Sequence, residues 1–208
     1  MVFLGDTLGL TLLRHGLTKE NIEKKYIGWM DASLSALGKK ELQNKVGYPT
    51  GDYYVSSDLK RAIETMEIIY PHQPYEVSRL LRELSFGEFE GKTYEQLKEN
   101  KAYRHWIDHL ERVQAPAGES MQDLQKRVDQ QLQVVLQKAK EKQYSNVVFV
   151  THGGVIRHIL SSYADSTVPF WEWKVPHGSA VQTNWKKQKE EWVCTSYQVV
   201  PLMEKENM

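Results

Sequence analysis

The chain has a single cysteine, Cys194, in 208 residues. No intrachain disulfide can form, and a reducing, cytoplasmic setting is expected. Surplus charge is also absent, because 27 lysines and arginines balance 27 aspartates and glutamates. That balance excludes a general nucleic-acid or anionic-membrane binder, which needs a broad positive face. No apolar run approaches the roughly 20 residues that span a bilayer. The opening MVFLGDTLGL has no positive segment and is interrupted by Asp6, so it reads as the lead into a first strand rather than a leader peptide. Internal repeats and low-complexity tracts are missing too. The expectation is a single domain over 1–208, monomer or homodimer, with neither a nucleic-acid nor a membrane partner.

What is present alternates between strand-like and helix-like patterns. LGLTLL (8–13) is a short apolar run suited to a strand covered on both faces. Helical spacing follows from Ser35, a fitting N-cap, with Leu37, Leu42 and Val46 on one side. DYYVSSD reads as a second strand and DLKRAIETMEIIYP as a helix ended by Pro71. YEVSRLLREL (75–84) is a third, weaker strand pattern. From Ser120, Met121, Leu124, Val128, Leu132, Val135 and Ala139 step by three or four, and Ser120 with Asp123 forms a capping-box pattern. NVVFVTHGG (146–154) is a strong strand before the helix VIRHILSSYA. SAVQTNW and WVCTSYQVV are late strands around a charged turn at 186–191, and 203–208 is a polar tail. This order predicts a three-layer α/β/α sandwich with a mainly parallel sheet. The polar, aromatic stretch 87–118 does not fit the alternation and reads as an inserted lid.

The stretch TLLRHGLTKEN ends its greasy strand in Arg14 and His15, two groups that are costly to desolvate. Ligands of open α/β sheets bind beyond the carboxyl ends of the strands. Arg61 opens the helix after the second strand, and His152 follows VVFVT and precedes Gly153 and Gly154. Two guanidinium forks, two imidazoles and free N–H groups at a helix start suit a phosphoryl group. Neighbouring cations also oppose protonation of a histidine, leaving a nitrogen free to attack. Cleavage of a phosphoester needs an acid for the leaving oxygen, and Glu83 stands just past the third strand. Glu88 and Glu90 lie close enough in sequence to compete for that role. No acidic cluster with magnesium-binding spacing accompanies these residues, so no metal and no cofactor is expected.

LLRHGLTKEN, SSDLKRAIET, LRELSFGEFEGKT, PAGESMQDLQKRV and VTHGGVIRHIL occur in the order typical of the phosphoglycerate mutase-like histidine phosphatase superfamily, and the resemblance covers nearly the whole chain. It implies that His15 takes the phosphoryl group. Arg14, Arg61 and His152 would hold its oxygens, and Glu83 would act as acid and then as base. Thr18 and Asn21 would contact the phosphate, and Gly153 would contribute its backbone. FGEFEGKT and WIDHLERVQAPAGES are similar to stretches of small phosphatases, the α-ribazole phosphatases of cobalamin assembly among them. The implied reaction is metal-independent hydrolysis of a small phosphorylated metabolite, either α-ribazole 5′-phosphate or a broad range of monoesters. A cofactor-dependent phosphoglycerate mutase and an inactive phosphate-binding module are the rival readings.

Other residues have blander accounts. His105 and His109 flank Asp108 at a spacing open to a metal, yet no third ligand is evident and a solvated helix suffices. Trp171 and Trp173 fit aromatic packing better than a substrate frame. Tyr26, Trp29, Tyr103 and Trp106 are candidates for the lid or rim. His177 carries no distinguishing signal.

Overall fold

The computed structural model describes residues 6–189 and 191–205. Its strands are β1 (Thr7–Arg14), β2 (Lys45–Val46), β3 (Tyr53–Ser57), β4 (Glu76–Ser78), β5 (Asn146–Thr151), β6 (Ala180–Gln188), β7 (Glu191–Val199) and β8 (Met203–Glu204). The α-helices are α1 (Lys19–Ile22), α2 (Ala36–Asn44), α3 (Lys60–Ile69), α4 (Tyr94–Leu97), α5 (Lys101–Asp108), α6 (Met121–Lys142) and α7 (Gly153–Tyr163). Six strands form the main sheet in the order β4-β3-β5-β1-β6-β7. The first four run parallel, β6 is antiparallel to β1, and β7 is antiparallel to β6.

The sheet lies between two helical layers because its strands are apolar on both faces. Along β5, Val147 and Phe149 face the core shared with α6 and α7, whereas Val148 and Val150 face the core shared with α3. Helix α6 buries Leu124, Val128, Leu132 and Val135 completely. Burying a side chain of that kind is worth about 1.5–3 kcal/mol. The Ser120–Asp123 capping box forms as expected, and Gln143 closes α6 in the left-handed region at φ 56°. Among the described residues no helix is long and apolar enough to cross a membrane.

Several expectations need correction. Helix α2 is capped by Ser35 but stops at Asn44, and Val46 pairs in β2 with Met203 of β8. Part of the expected polar tail is therefore strand; residues 206–208 lie outside the described residues. Leu37 is half exposed, because the buried face of α2 is set by Gly38 and Leu42, with Gly38 lying against the Leu17 backbone. The third strand pattern yields only β4: the Ser78 hydroxyl accepts from Leu80 N and starts a 3-10 turn at Arg79–Leu81. The late strands run through most of the charged stretch, to Gln188 and again from Glu191.

The 87–118 segment contains its own small core of Phe89, Leu97, Tyr103, Trp106 and Ala115. Tyr103 and Trp106 are buried there, and the Tyr26 and Tyr103 hydroxyls share a hydrogen bond of 2.6 Å. These three residues pack the segment rather than line a rim. Trp29 alone of the four is exposed.

Candidate active site

Parallel register brings the two sequence motifs together. Arg14 at the end of β1 pairs with Thr151 at the end of β5, and His15 N donates to Thr151 O at 3.0 Å. The next residues, His15 and His152, are therefore neighbours, with ring centroids 5.1 Å apart. Both are buried. His15 Nδ1 lies 2.7 Å from Gly16 O. A carbonyl only accepts, so Nδ1 carries the proton and Nε2 keeps its lone pair.

The arginines arrive from two sides. Arg14 Nη1 donates to Val175 O at 2.5 Å. Arg61, wholly buried in the first turn of α3, donates to Met30 O at 2.8 Å and Gly28 O at 2.6 Å. Burial lowers both guanidinium pKa values to about 10, so both remain charged at neutral pH. Among the described residues, three buried groups here have no hydrogen-bond partner: Arg14 Nε, Arg61 Nε and His152 Nδ1. Unpaired buried polar atoms are costly, and donors of this kind suit a tetrahedral oxyanion.

Burial first, then the charge of Arg61, holds both His15 and His152 well below the usual histidine pKa of 6.5. The sign of the stability effect follows. Below about pH 6.5 the unfolded chain binds protons on these rings that the native state does not, so stability falls as the pH falls. The slope is at most about 1.4 kcal/mol per pH unit for each ring. Thermal melts from about pH 7 to about pH 5 should show a falling Tm, and added inorganic phosphate should raise the Tm by binding the native state. A Tm that holds or rises on acidification would contradict neutral buried imidazoles.

Glu83 sits at the N-terminus of α7. Gly154 N lies 3.1 Å from both of its carboxylate oxygens, and Leu84 N donates to Oε1 at 2.9 Å. A Cβ on Gly154 would lie 2.2 Å from Glu83 Oε1, and one on Gly153 would lie 3.4 Å from Arg14 Cζ. Glycine at both positions lets the helix start approach the acid and the arginine. The other two glutamates are placed differently. Glu90 accepts from the backbone of Trp29, Met30 and Phe86, and Glu88 is exposed.

Thr18 and Asn21 form a capping box around α1, Thr18 Oγ1 accepting from Asn21 N and Asn21 Oδ1 accepting from Thr18 N. This spends the Asn21 oxygen locally and leaves its NH2 end as the donor available to a ligand. His105 and His109 pack ring to ring at 4.9 Å. Among the described residues no group of three or more histidine, cysteine, aspartate or glutamate residues is placed to hold a metal. Trp171 is exposed and meets Phe170, and Trp173 meets Tyr197.

Three contributors escape a sequence reading, and a fourth, Trp29, reads from sequence only as a lid or rim residue. The His177 ring lies 5.0 Å from that of His15, with Nδ1 3.3 Å from His15 O, and burial lowers its pKa to about 3. Ser57 Oγ lies 2.9 Å from His152 Nε2 and orients that ring. Arg157 Nη1 lies 3.1 Å from the position of a Cβ on Gly153, which puts a further cation beside Arg14. The Trp29 indole donates to Glu83 O at 2.7 Å. The spacing around His177 holds no motif; only the loop path places it.

A family model for the histidine phosphatase superfamily (branch 1) matches residues 10–198. The chain is 34% identical over 164 residues to phosphoglycerate mutase-like protein 4 of Arabidopsis thaliana, covering 74% of this chain and 70% of that protein. It is 27% identical over 187 residues to the adenosylcobalamin/alpha-ribazole phosphatase of Escherichia coli, covering 85% and 91%. In fold alone it matches the crystal structure of the alpha-ribazole phosphatase from Shigella flexneri, with a TM-score of 0.77 at 22% identity over 93% and 96% of the two chains. With its two histidines and two arginines gathered at one sheet edge, the chain belongs to the histidine phosphatase superfamily, branch 1, and is a phosphoric monoester hydrolase.

Proposed function

We propose that the chain hydrolyses small phosphate monoesters through a phosphohistidine on His15, with no metal. The observation that carries this reading is the set of buried, unpaired groups, Arg14 Nε, Arg61 Nε and His152 Nδ1, beside a histidine whose Nε2 lone pair is free. In the first step His15 Nε2 forms a bond to phosphorus, the bond to the ester oxygen breaks, and the Glu83 carboxyl proton passes to that oxygen. The alcohol leaves. The phosphoimidazolium keeps its Nδ1–H on Gly16 O. Water then attacks phosphorus, Glu83 takes its proton, the N–P bond breaks, and inorganic phosphate departs. Arg14, Arg61 and His152 hold the equatorial oxygens throughout, assisted by Gly153 N and the Asn21 amide, with Thr18 fixing the α1 start. Donors aimed at developing charge are worth several kcal/mol in such sites.

The natural substrate class is a small phosphorylated metabolite. The name of the Escherichia coli relative supports α-ribazole 5′-phosphate as the first compound to try, with other monoesters beside it. The 87–118 segment is read as a lid that selects among them. The name of the Arabidopsis relative favours the rival, phosphoryl exchange between two positions of one sugar acid. Phosphate release should be screened across α-ribazole phosphate, sugar phosphates, nucleotides and phosphoglycerates. The proposal expects stoichiometric inorganic phosphate and no isomerised product; isomerised phosphoglycerate without phosphate release would support the mutase, and binding without either would support an inactive module.

A further inference from the structure

The PAGESMQDLQKRV motif takes no part in the chemistry above, yet it supplies the firmest polar cluster near it. Arg127 on α6 spends all five of its N–H donors. Nε donates to Glu119 Oε1 at 2.7 Å, and Nη1 donates to Leu80 O at 2.8 Å and Arg82 O at 2.6 Å. Nη2 donates to Glu83 O at 2.9 Å and Glu119 Oε2 at 2.8 Å. The side chains of Arg127 and Glu119 are only 12% and 11% exposed.

The carbonyls it holds belong to a segment that cannot hold itself. After the 3-10 turn at Arg79–Leu81 the backbone enters neither helix nor strand. The four carbonyls at the end of this turn and just past it are taken from outside: Leu80 and Arg82 by Arg127, Leu81 by Thr151 Oγ1 at 2.8 Å, and Glu83 by Arg127 and the Trp29 indole. Glu119 is tied back as well, since its N donates to Ser85 O at 3.1 Å. Two donors thus pin the backbone of Glu83 while Gly154 N and Leu84 N hold its carboxylate.

We propose that Arg127, neutralised by Glu119, is a positioning residue for the catalytic acid. The clamp fixes the 80–83 backbone so that the Glu83 carboxyl meets the leaving oxygen. The inference rests on the assignment of Glu83 as the acid. Misplacing a reacting group by about 1 Å costs on the order of 10²-fold. A lysine at 127 keeps the charge, which also opposes protonation of His152, but cannot bridge three carbonyls and a carboxylate.

The test compares an alkyl ester, glycerol phosphate, with the activated ester p-nitrophenyl phosphate. Variants are Arg127→Met, Arg127→Lys, Glu119→Gln and Glu83→Gln, together with the double variant Arg127→Lys/Glu83→Gln. Melting curves confirm folding, and should Arg127→Met fail to fold, the Lys and Glu119 variants carry the test. The clamp predicts that kcat/KM falls about 10²-fold on the alkyl ester and less than about 5-fold on the aryl ester, because a good leaving group needs little protonation. Adding Arg127→Lys to Glu83→Gln should then cost less than about 2-fold on the alkyl ester. Equal losses on both esters, additive with Glu83→Gln, overturn the clamp alone. Full alkyl-ester activity in Glu83→Gln overturns the acid assignment and the clamp with it.

Discussion

His15→Ala is expected to lose turnover by about 10⁴–10⁶-fold while keeping its fold, because the nitrogen that bonds to phosphorus is removed. His152 is no substitute: its Nε2 is engaged with Ser57 Oγ. His177 keeps its Nδ1 contact with the His15 carbonyl in the variant, so its ring stays where it was, 5.0 Å from the former position of the His15 ring. The folded state should tolerate the change, since the imidazole makes a single side-chain hydrogen bond, to Gly16 O. Removing a neutral buried ring should even lessen the stability loss below about pH 6.5. Steady-state assay with circular dichroism on the same sample checks both parts. Turnover close to wild type would remove His15 from the mechanism.

The second large effect is expected at Glu83. Glu83→Gln keeps the size of the side chain and an oxygen able to accept from Gly154 N and Leu84 N, but it has no acidic proton to give. General acid catalysis contributes roughly 10²–10⁴-fold, so kcat/KM, which reads the phosphorylation step, should fall that much for alkyl phosphates and far less for p-nitrophenyl phosphate. Dephosphorylation should slow for both esters, because the same carboxylate takes the proton from water. A burst of p-nitrophenol followed by a slow steady rate is the expected signature in rapid mixing. Equal loss in both steps for every ester would deny Glu83 the acid role. Glu90 is a poor successor, since its carboxylate is committed to three backbone N–H groups.

Much of this was legible because strand ends and chemistry coincide. LGLTLL and NVVFVT read as buried strands, and each is followed directly by its functional residues, so placing the strands placed Arg14, His15 and His152. The stripe of α6 was legible for the same reason, as spacing and capping agree. Other features depend on contacts that no local pattern encodes. Val46 belongs to a strand only because Met203 returns beside it. The polar composition of 87–118 hides a core, because Phe89, Leu97, Tyr103 and Trp106 meet one another across two short helices. Arg127 looks like an ordinary helix arginine until the 80–83 carbonyls come within its reach. His177 joins the site through a loop whose spacing carries no periodic signal.

The central claim is that a covalent bond forms between phosphorus and His15 Nε2 during turnover. Rapid alkaline quench of the enzyme with labelled monoester, followed by peptide mapping, tests it most directly. The account predicts an acid-labile, alkali-stable phosphoramidate on the peptide containing His15, formed and lost as fast as the enzyme turns over. Steady phosphate release with no protein-bound phosphoryl group, or with the group on another residue, would contradict it.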